Sequence, residues 1–348
     1  MIVFTKSISS ELSSYLSSHK YDKIFVLTDT NTREKCFPLL KAALSGRDIV
    51  PVTINAGDMH KDIQQVTTIW KVLSDGGASR YSLLINVGGG MVTDLGGFAG
   101  ATFKRGLHNL NIPTTLMASV DAAVGGKTGI NFNGLKNEIG SFYHPDCVMI
   151  DCTFLKTLDR DNLLSGYAEM LKHGLISDQK TFYDLLTFDF EHPDFEKLND
   201  LVDISVAIKA RFVKADPKEK GIRKALNFGH TVGHAFESLS FAKNNSILHG
   251  HAVAAGLISE LYLSYKTCKL SVDLLRQATD FIKEHYSPIN LQCNEYDECY
   301  KLMMHDKKNE GDHINFTLLG DIGDVRINRE AGKESVLESL DFYRENIN

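Results

Sequence analysis

Three things are scarce in this chain of 348 residues. Cysteine comes to six, Cys36, Cys147, Cys152, Cys268, Cys293 and Cys299, and no two form a CxxC pair. A chain this long needs no covalent staples, so these are expected to be free thiols, offering neither a disulfide framework nor a thiolate metal site. Positive charge is short as well: 38 Lys and Arg face 44 Asp and Glu, a formal net charge of −6. That balance excludes a general nucleic-acid surface and leaves only local basic clusters, which would draw a small anion. Long apolar runs are missing too. No stretch approaches about 18 uninterrupted apolar residues, and the opening MIVFTKSISSELSSYL lacks the basic region and apolar core of a signal peptide, so no membrane partner and a cytoplasmic location are expected.

What is present is the composition of a soluble globular protein, 43% hydrophobic and 24% charged. The length exceeds what one hydrophobic core usually serves, so two domains are expected, with a change of texture near Asp151 dividing 1–151 from 152–348. In the first part short apolar runs (Lys23 to Leu27, Asp48 to Ile54, Ser82 to Val87, Asn111 to Thr115, Cys147 to Asp151) alternate with helical periods such as Thr32 to Leu44 and Asp62 to Ser74. This alternation predicts βαβ units, a parallel sheet and an α/β, Rossmann-like nucleotide-binding domain. Beyond Asp151 helical periodicity dominates, in Leu163 to Ile176, Phe182 to Leu186, Leu201 to Val213, Ala225 to Leu239, Ala252 to Tyr265 and Val272 to His285, which predicts a mainly α-helical second domain.

SLLINV runs straight into GGGMVTD, so Gly88, Gly89 and Gly90 stand where a buried strand ends and a helix begins. Without Cβ atoms the backbone approaches a pyrophosphate closely, and the helix start offers unpaired N–H groups, with Asp94 expected in its first turn. The pattern is not GxGxxG, and a plain tight turn is the lesser alternative. Asp29 and Asn31 after an earlier strand, and Thr114 and Thr115 after a later one, stand where open α/β sheets bind nucleotides, although Asp-Thr-Asn also makes an ordinary helix cap.

RKALNFGHTVGH spaces Arg223, Asn227, His230 and His234 by 4, 3 and 4 positions, one stripe if the segment is a single helix. Its other positions are apolar, so the polar stripe is expected to face a cleft. Hydrogen-bonded core imidazoles would account for two histidines. His249 and His251, opening another apolar helix, and Glu169, on a third, favour a divalent ion of the zinc type held by imidazole and carboxylate. Asp121, Lys127, Lys136 and Asn137, set among glycines, read either as a substrate-cradling loop or as a solvated one. Lys172 and Lys209 lie on segments that otherwise look buried and are expected to face a ligand.

Six segments together resemble the 3-dehydroquinate synthase family: GGGMVTDLGGFAGATFKRG, IPTTLMASVDAAVGGKTGIN, GLKNEIGSFYHP, GYAEMLKHG, GIRKALNFGHTVGHA and LHGHAVAAG, within Asp29 to Lys308 and in the family's order. The resemblance implies an N-terminal Rossmann-like NAD domain and a C-terminal helical metal domain. It implies that Glu169, His230 and His249 hold zinc or cobalt. It matches Asp29, Asn31, Asp58, Lys61, Gly89, Gly90, Met91, Asp94, Thr114 and Thr115 to NAD contacts. Asp121, Lys127, Lys172, Lys209, Arg223, Asn227 and His234 match catalytic positions, and Arg105, Lys136, Asn137 and one of Lys307 and Lys308 match substrate-binding ones. Arg105 reaches a neighbouring subunit in the family, which implies a homodimer.

The implied reaction converts 3-deoxy-D-arabino-heptulosonate 7-phosphate to 3-dehydroquinate and phosphate, in the shikimate pathway, by transient oxidation, elimination, re-reduction and aldol closure. One departure stands out: His251 occupies a place where relatives commonly carry Glu, as an outer partner or as a rival to His249. The competing readings are a metal-dependent NAD alcohol or polyol dehydrogenase, another sugar-phosphate cyclase, and a non-catalytic NAD sensor. The dehydrogenase would build up NADH and has no need of the Lys127, Lys136, Lys209 and Arg223 set.

Overall fold

Strands buried on both faces read as nearly continuous apolar runs, and that is what the alternating first part of the chain builds, with its buried amides Asn86, Asn109 and Asn111 bonded to one another. The computed structural model describes residues 1–133, 135–243, 245–305 and 313–347. It divides into two compact units, Met1–Asp159 with Phe195–Asn199, and Arg160–Asp194 with Asp200–Asn348. In chain order the first unit holds β1 (Ile2–Phe4), α1 (Ile8–Ser18), β2 (Ile24–Asp29), α2 (Thr30–Lys35), α3 (Lys41–Leu44), β3 (Ile49–Ile54), α4 (Ile63–Asp75), β4 (Leu83–Gly88), α5 (Gly90–Thr102), β5 (His108–Pro113), β6 (Lys127–Phe132), β7 (Leu135–Phe142) and β8 (Cys147–Ile150).

Six strands form a parallel sheet in the order β1-β8-β5-β4-β2-β3. Every residue of β2 and β4 is buried. Successive side chains go to opposite faces: Val26 and Ile85 join the core with Leu12, Leu16 and Leu40, whereas Phe25, Leu27 and Leu84 join Val66, Ile69 and Val92 of α4 and α5. From β2 the chain steps outward to β3, then returns to add β4 on the other side of β2. The connections therefore diverge from the carboxyl ends of β2 and β4, at Asp29 and Gly88, the switch point where open sheets of this kind leave a crevice.

The stretch expected as a cradling loop around Lys127 to Asn137 is instead the antiparallel hairpin β6–β7, with Lys127 opposite Phe142 and Gly129 opposite Gly140. Its glycines are a packing requirement, since a Cβ on Gly140 would lie 2.2 Å from the Thr128 carbonyl oxygen. Asp94 also departs from expectation: α5 starts at Gly90, which puts Asp94 beyond the first turn.

After Asp159 come α6 (Arg160–Leu175), α7 (Gln179–Leu186), α8 (Phe195–Ala215), α9 (His230–Ala242), α10 (His249–Cys268), α11 (Val272–His285), α12 (Tyr296–Met304), β9 (Phe316–Asp321), β10 (Asp324–Arg329) and α13 (Lys333–Ile347), the first residues of α8 counting with the first unit. The Rossmann-like α/β unit and the mainly helical unit expected from the sequence are both present. One helix is not as expected. Ile222–Asn227 is a short 3-10 segment, and Gly229 takes a left-handed φ of 80° before α9 begins at His230. Arg223 and Asn227 thus stand on a separate turn, not on one helical stripe with His230 and His234. A Cβ on Gly229 would come within 2.7 Å of Leu257 Cδ2, so glycine is required there on both counts.

Candidate active site

Within the first unit, the ends of β4 and β5 make a backbone cradle. Gly89 is the N-cap of α5 and offers no side-chain cap, leaving the first amides of the helix without a side-chain partner from that position. Thr114 N donates to Gly88 O at 3.0 Å, and a Cβ on Gly89 would lie 3.1 Å from Thr115 Cγ2, so the glycine turn and the two threonines adjoin. Met91 follows, half-buried. Asp29 is spoken for locally: its Oδ1 accepts from Thr32 N at 2.7 Å in a capping box that starts α2, while Asn31 is exposed on that helix.

A polar cluster stands beside the cradle. Buried Lys61 donates to Asp94 Oδ2 at 2.6 Å and to Asn137 Oδ1, and exposed Lys136 pairs with Asp58 at 3.0 Å. Residues expected to touch NAD (Asp58, Lys61, Asp94) are thereby joined to residues expected to touch substrate (Lys136, Asn137). The turn at 58–61 is bound to the hairpin through Asn131, whose N–H donates to Lys61 O at 2.7 Å and whose amide donates to Asp58 O at 3.1 Å. Asp121 lies in a π-helical turn, Ala118–Ala122. Lys127 and Arg105 are exposed, and Arg105 has a left-handed φ of 65°.

Within the second unit, three helices bring acid and imidazole together. Glu169 on α6 is fully buried and pairs with Lys172, one turn along the same helix. Glu169 Oε1 lies 3.2 Å from His230 Nε2 and 3.7 Å from His249 Nε2. Among the described residues no donor reaches that oxygen in hydrogen-bonding geometry, which leaves a buried carboxylate oxygen facing two ring nitrogens. His234 completes the group, since ligating atoms of His230, His234 and His249 all lie within 4.8 Å of one another. Carboxylate oxygen and imidazole nitrogens are the donors that suit zinc or cobalt.

The protonation states fit a cation. Burial opposes the charge on Glu169, but the Lys172 ammonium and then His230 hold its carboxyl well below the usual carboxylate range. Burial, followed by the charge of Lys172, pushes His230 down to about 3, so the ring is neutral and its lone pair available at ordinary pH. His230 Nδ1 stands 3.2 Å from Phe228 O, which leaves Nε2 toward Glu169.

Arg223 is buried, with Nη1 donating to Pro217 O at 2.8 Å, and Asn227 Nδ2 donates to Glu219 Oε1 at 2.8 Å. Lys209 is buried as well, at 6% exposure. Lys307 and Lys308 lie outside the described residues. His251, the candidate rival to His249, turns elsewhere: its Nε2 is 3.2 Å from Asp161 O and its ring meets Tyr286 edge-on. His173 is buried against Ser205, Nδ1 to Oγ 2.7 Å.

Two family profiles match this chain, the 3-dehydroquinate synthase N-terminal domain over residues 51–165 and the C-terminal domain over 166–309. A 3-dehydroquinate synthase of Parabacteroides distasonis is 62% identical across 99% of this chain and 98% of its own length. The chain belongs to the 3-dehydroquinate synthase family. Among solved structures, the 2-epi-5-epi-valiolone synthase of Streptomyces hygroscopicus, with NAD+ and Zn2+ bound, superposes with a TM-score of 0.89 at 23% identity over 99% of this chain and 96% of that one. A 2-deoxy-scyllo-inosose synthase complexed with carbaglucose-6-phosphate, NAD+ and Co2+ gives 0.87 at 21% over 99% and 96%. At such identities these two establish the fold alone. A 3-dehydroquinate synthase is a carbon–oxygen lyase, and so close a relative does not favour the dehydrogenase reading.

Three acidic residues at the site were not singled out from the sequence. Buried Glu237 on α9 lies 3.4 Å from His249 Nδ1. Asp216 gathers the amides of Lys220, Gly221 and Arg223 at 3.1, 2.6 and 3.2 Å, and these amides, Gly221 first, lower its carboxyl. Fully buried Glu260 on α10 accepts from two amides at the start of α9. The available signal was an acid within an otherwise apolar helical run, as in AFESL and LISELYL.

Proposed function

We propose that this chain converts 3-deoxy-D-arabino-heptulosonate 7-phosphate to 3-dehydroquinate and phosphate, using NAD and one divalent cation, zinc or cobalt. The observation that carries the metal half is the buried Glu169 Oε1, without a hydrogen bond and 3.2 and 3.7 Å from the Nε2 atoms of His230 and His249. Glu169, His230 and His249 are assigned as its ligands. His234 is kept for the substrate, because Glu169 already faces the other two rings. Domain 1–151 carries NAD and domain 152–348 carries metal and substrate groups.

When bound, NAD takes up and returns a hydride and the cation polarises the oxygen at the carbon being oxidised. The chain's own groups bind and orient. The amides at the start of α5, with Gly89, Gly90 and Met91, receive the pyrophosphate, and Asp29, Asn31, Thr114 and Thr115 flank it. Lys61, Asp58 and Asp94 hold the rest of the cofactor. Arg223, its guanidinium plane fixed by Pro217 O, grips the substrate carboxylate as a planar fork, with Lys209 beside it. The resemblance assigns Lys127, Asn137, Asn227 and His234 to the phosphate, and Arg105, Lys136 and one of Lys307 and Lys308 to the rest of the substrate. Asp121 and Lys172 complete the set; Lys172 keeps Glu169 ionised, and the leaving phosphate itself serves as proton acceptor in the elimination.

A homodimer and a cytoplasmic location belong to the same proposal. Exposed Phe132, Ile139 and Phe142 on the two faces of the β6–β7 hairpin, and exposed Arg105, support a second copy packing against this unit. All six cysteines are free, five of them buried, as suits a reducing compartment. Among the described residues no helix is long and apolar enough to cross a membrane.

The deciding assay follows phosphate release from the heptulosonate phosphate, with and without NAD and a chelator. Phosphate is expected with no net accumulation of NADH, and chelation stops it. Stoichiometric NADH would instead establish the dehydrogenase reading.

A further inference from the structure

We infer that Glu260 is a positioning residue for the cation, a carboxylate from α10 that caps the helix whose first residue is His230. This rests on the assignment of His230 and His249 as metal ligands and adds a residue that touches neither substrate nor cation. The helix α9 begins without a cap of its own, because its N-cap is Gly229. A helix start left so would keep orphan amides in a buried place. Glu260 Oε2 accepts from Gly229 N at 2.7 Å and Oε1 from Val232 N at 3.1 Å. One carboxylate thereby takes amides on both sides of His230, as an N-cap side chain and its capping box would, but from another helix. Negative charge at that end also opposes the helix dipole favourably.

The geometry of α10 makes this relevant to both imidazoles. His249, Gly256 and Glu260 are 7 and 4 positions apart, so they line one face of α10. Gly256 lets the two helices touch: a Cβ there would lie 2.0 Å from Gly229 O and 2.6 Å from Gly233 N. Glu260 is fully buried, so the bond pair is shielded from water and cannot swing out. One helix therefore supplies His249 at its start and, three turns on, the anchor that fixes where His230 begins. Binding of a cation by both rings and closure of this clamp must favour each other by the same factor.

The test is Glu260→Gln, which keeps shape but turns an NH2 group toward one of the two amides. In NAD-loaded protein depleted of metal, cobalt affinity by chelator competition should weaken by about ten- to a hundredfold, as for other outer partners of metal ligands. The visible cobalt spectrum should change, and NAD affinity should not. Ser259→Ala, on the same helix and with its hydroxyl donating to Ser339 O at 3.5 Å, is expected to keep native cobalt affinity and spectrum whatever it costs in stability. In the native chain, which needs no substitution, cobalt should slow hydrogen exchange at the Gly229 and Val232 amides. Native cobalt affinity and spectrum in Glu260→Gln overturn the clamp, as does an equal loss in Ser259→Ala or exchange at the two amides indifferent to cobalt. If the native chain takes up no cobalt at all, the metal assignment itself falls, a result distinct from these.

Discussion

The two halves of the chemistry are built by opposite means. The nucleotide cradle is contiguous backbone: one strand, one glycine turn and one helix start, within Leu83 to Thr102, with a neighbouring strand end adding Thr114 and Thr115. The metal cluster is made of side chains from α6, α9 and α10, separated by 61 residues from Glu169 to His230 and by 19 more to His249. Backbone amides survive every substitution except proline, so the cradle fails chiefly by being filled. Side chains can be deleted one at a time, and the cluster fails by losing a charge it has already buried. The contrast sets what each half tolerates.

The largest effect should come from the cluster. Glu169→Ala removes the acid and leaves Lys172 buried without its partner, and His230→Ala removes a ring. Either is expected to lower kcat by about a thousandfold or more, since polarisation by the cation is worth several kcal/mol. Bound metal, measured by elemental analysis, should fall with it, while NAD binding stays native. A variant that loses metal and NAD together would show that the halves are not separable in this way.

Acid should break the same half next. Because His230 is pushed down to about 3 in the fold while an unfolded imidazole takes its proton near 6.5, the unfolded chain binds the proton first. Stability of the metal-free protein is therefore intact above about pH 6.5 and falls as pH drops toward 3. Between pH 7 and 5 this one ring accounts for about 2 kcal/mol. Urea unfolding at the two values should show that loss in the native chain and a smaller one in His230→Gln. Equal losses would mean that His230 carries its proton in the fold.

For the cradle, Gly88→Ala is the sharper probe. A Cβ there would meet Val92 side-chain carbons at 2.5 Å, forcing the first turn of α5 away from β4. Overpacking of this kind costs about 1–3 kcal/mol, which predicts NAD affinity weaker by about tenfold, measured by fluorescence titration, with metal content unchanged. Native NAD affinity would remove the glycine turn from the cofactor's contacts.

The same contrast explains what could be read from the sequence. The cradle and the parallel strands were legible because contiguity is what a sequence records: buried strands are apolar runs, and Gly88 to Gly90 follow one of them directly. For the cluster the residue types were legible and their geometry was not. The positions 223, 227, 230 and 234 keep helical spacing by coincidence across a break at Phe228 and Gly229, and periodicity alone does not register one left-handed residue. The β6–β7 hairpin was masked by glycines that stand where alternation would show. Glu237 and Glu260 went unmarked because a carboxylate on a helix ordinarily faces water, and only the packing of α9 on α10 shows that neither does.

The smallest expected effect concerns His251, the residue the sequence offered as a rival to His249. His251 lies in the first turn of α10, which His249 begins, and by composition alone it could compete for the cation. Two residues along a helix point about 200° apart, so a ring at 251 and a ring at 249 do not share a target. The structure agrees, with His251 set against Asp161 O and the edge of Tyr286. His251→Ala should therefore leave metal content and kcat nearly native and lose only what one exposed hydrogen bond and one ring contact contribute, about 1 kcal/mol or less in urea unfolding. Loss of metal on this substitution, with retention in His249→Ala, would exchange the roles of the two histidines and require α10 to start a half-turn differently from the way it does here.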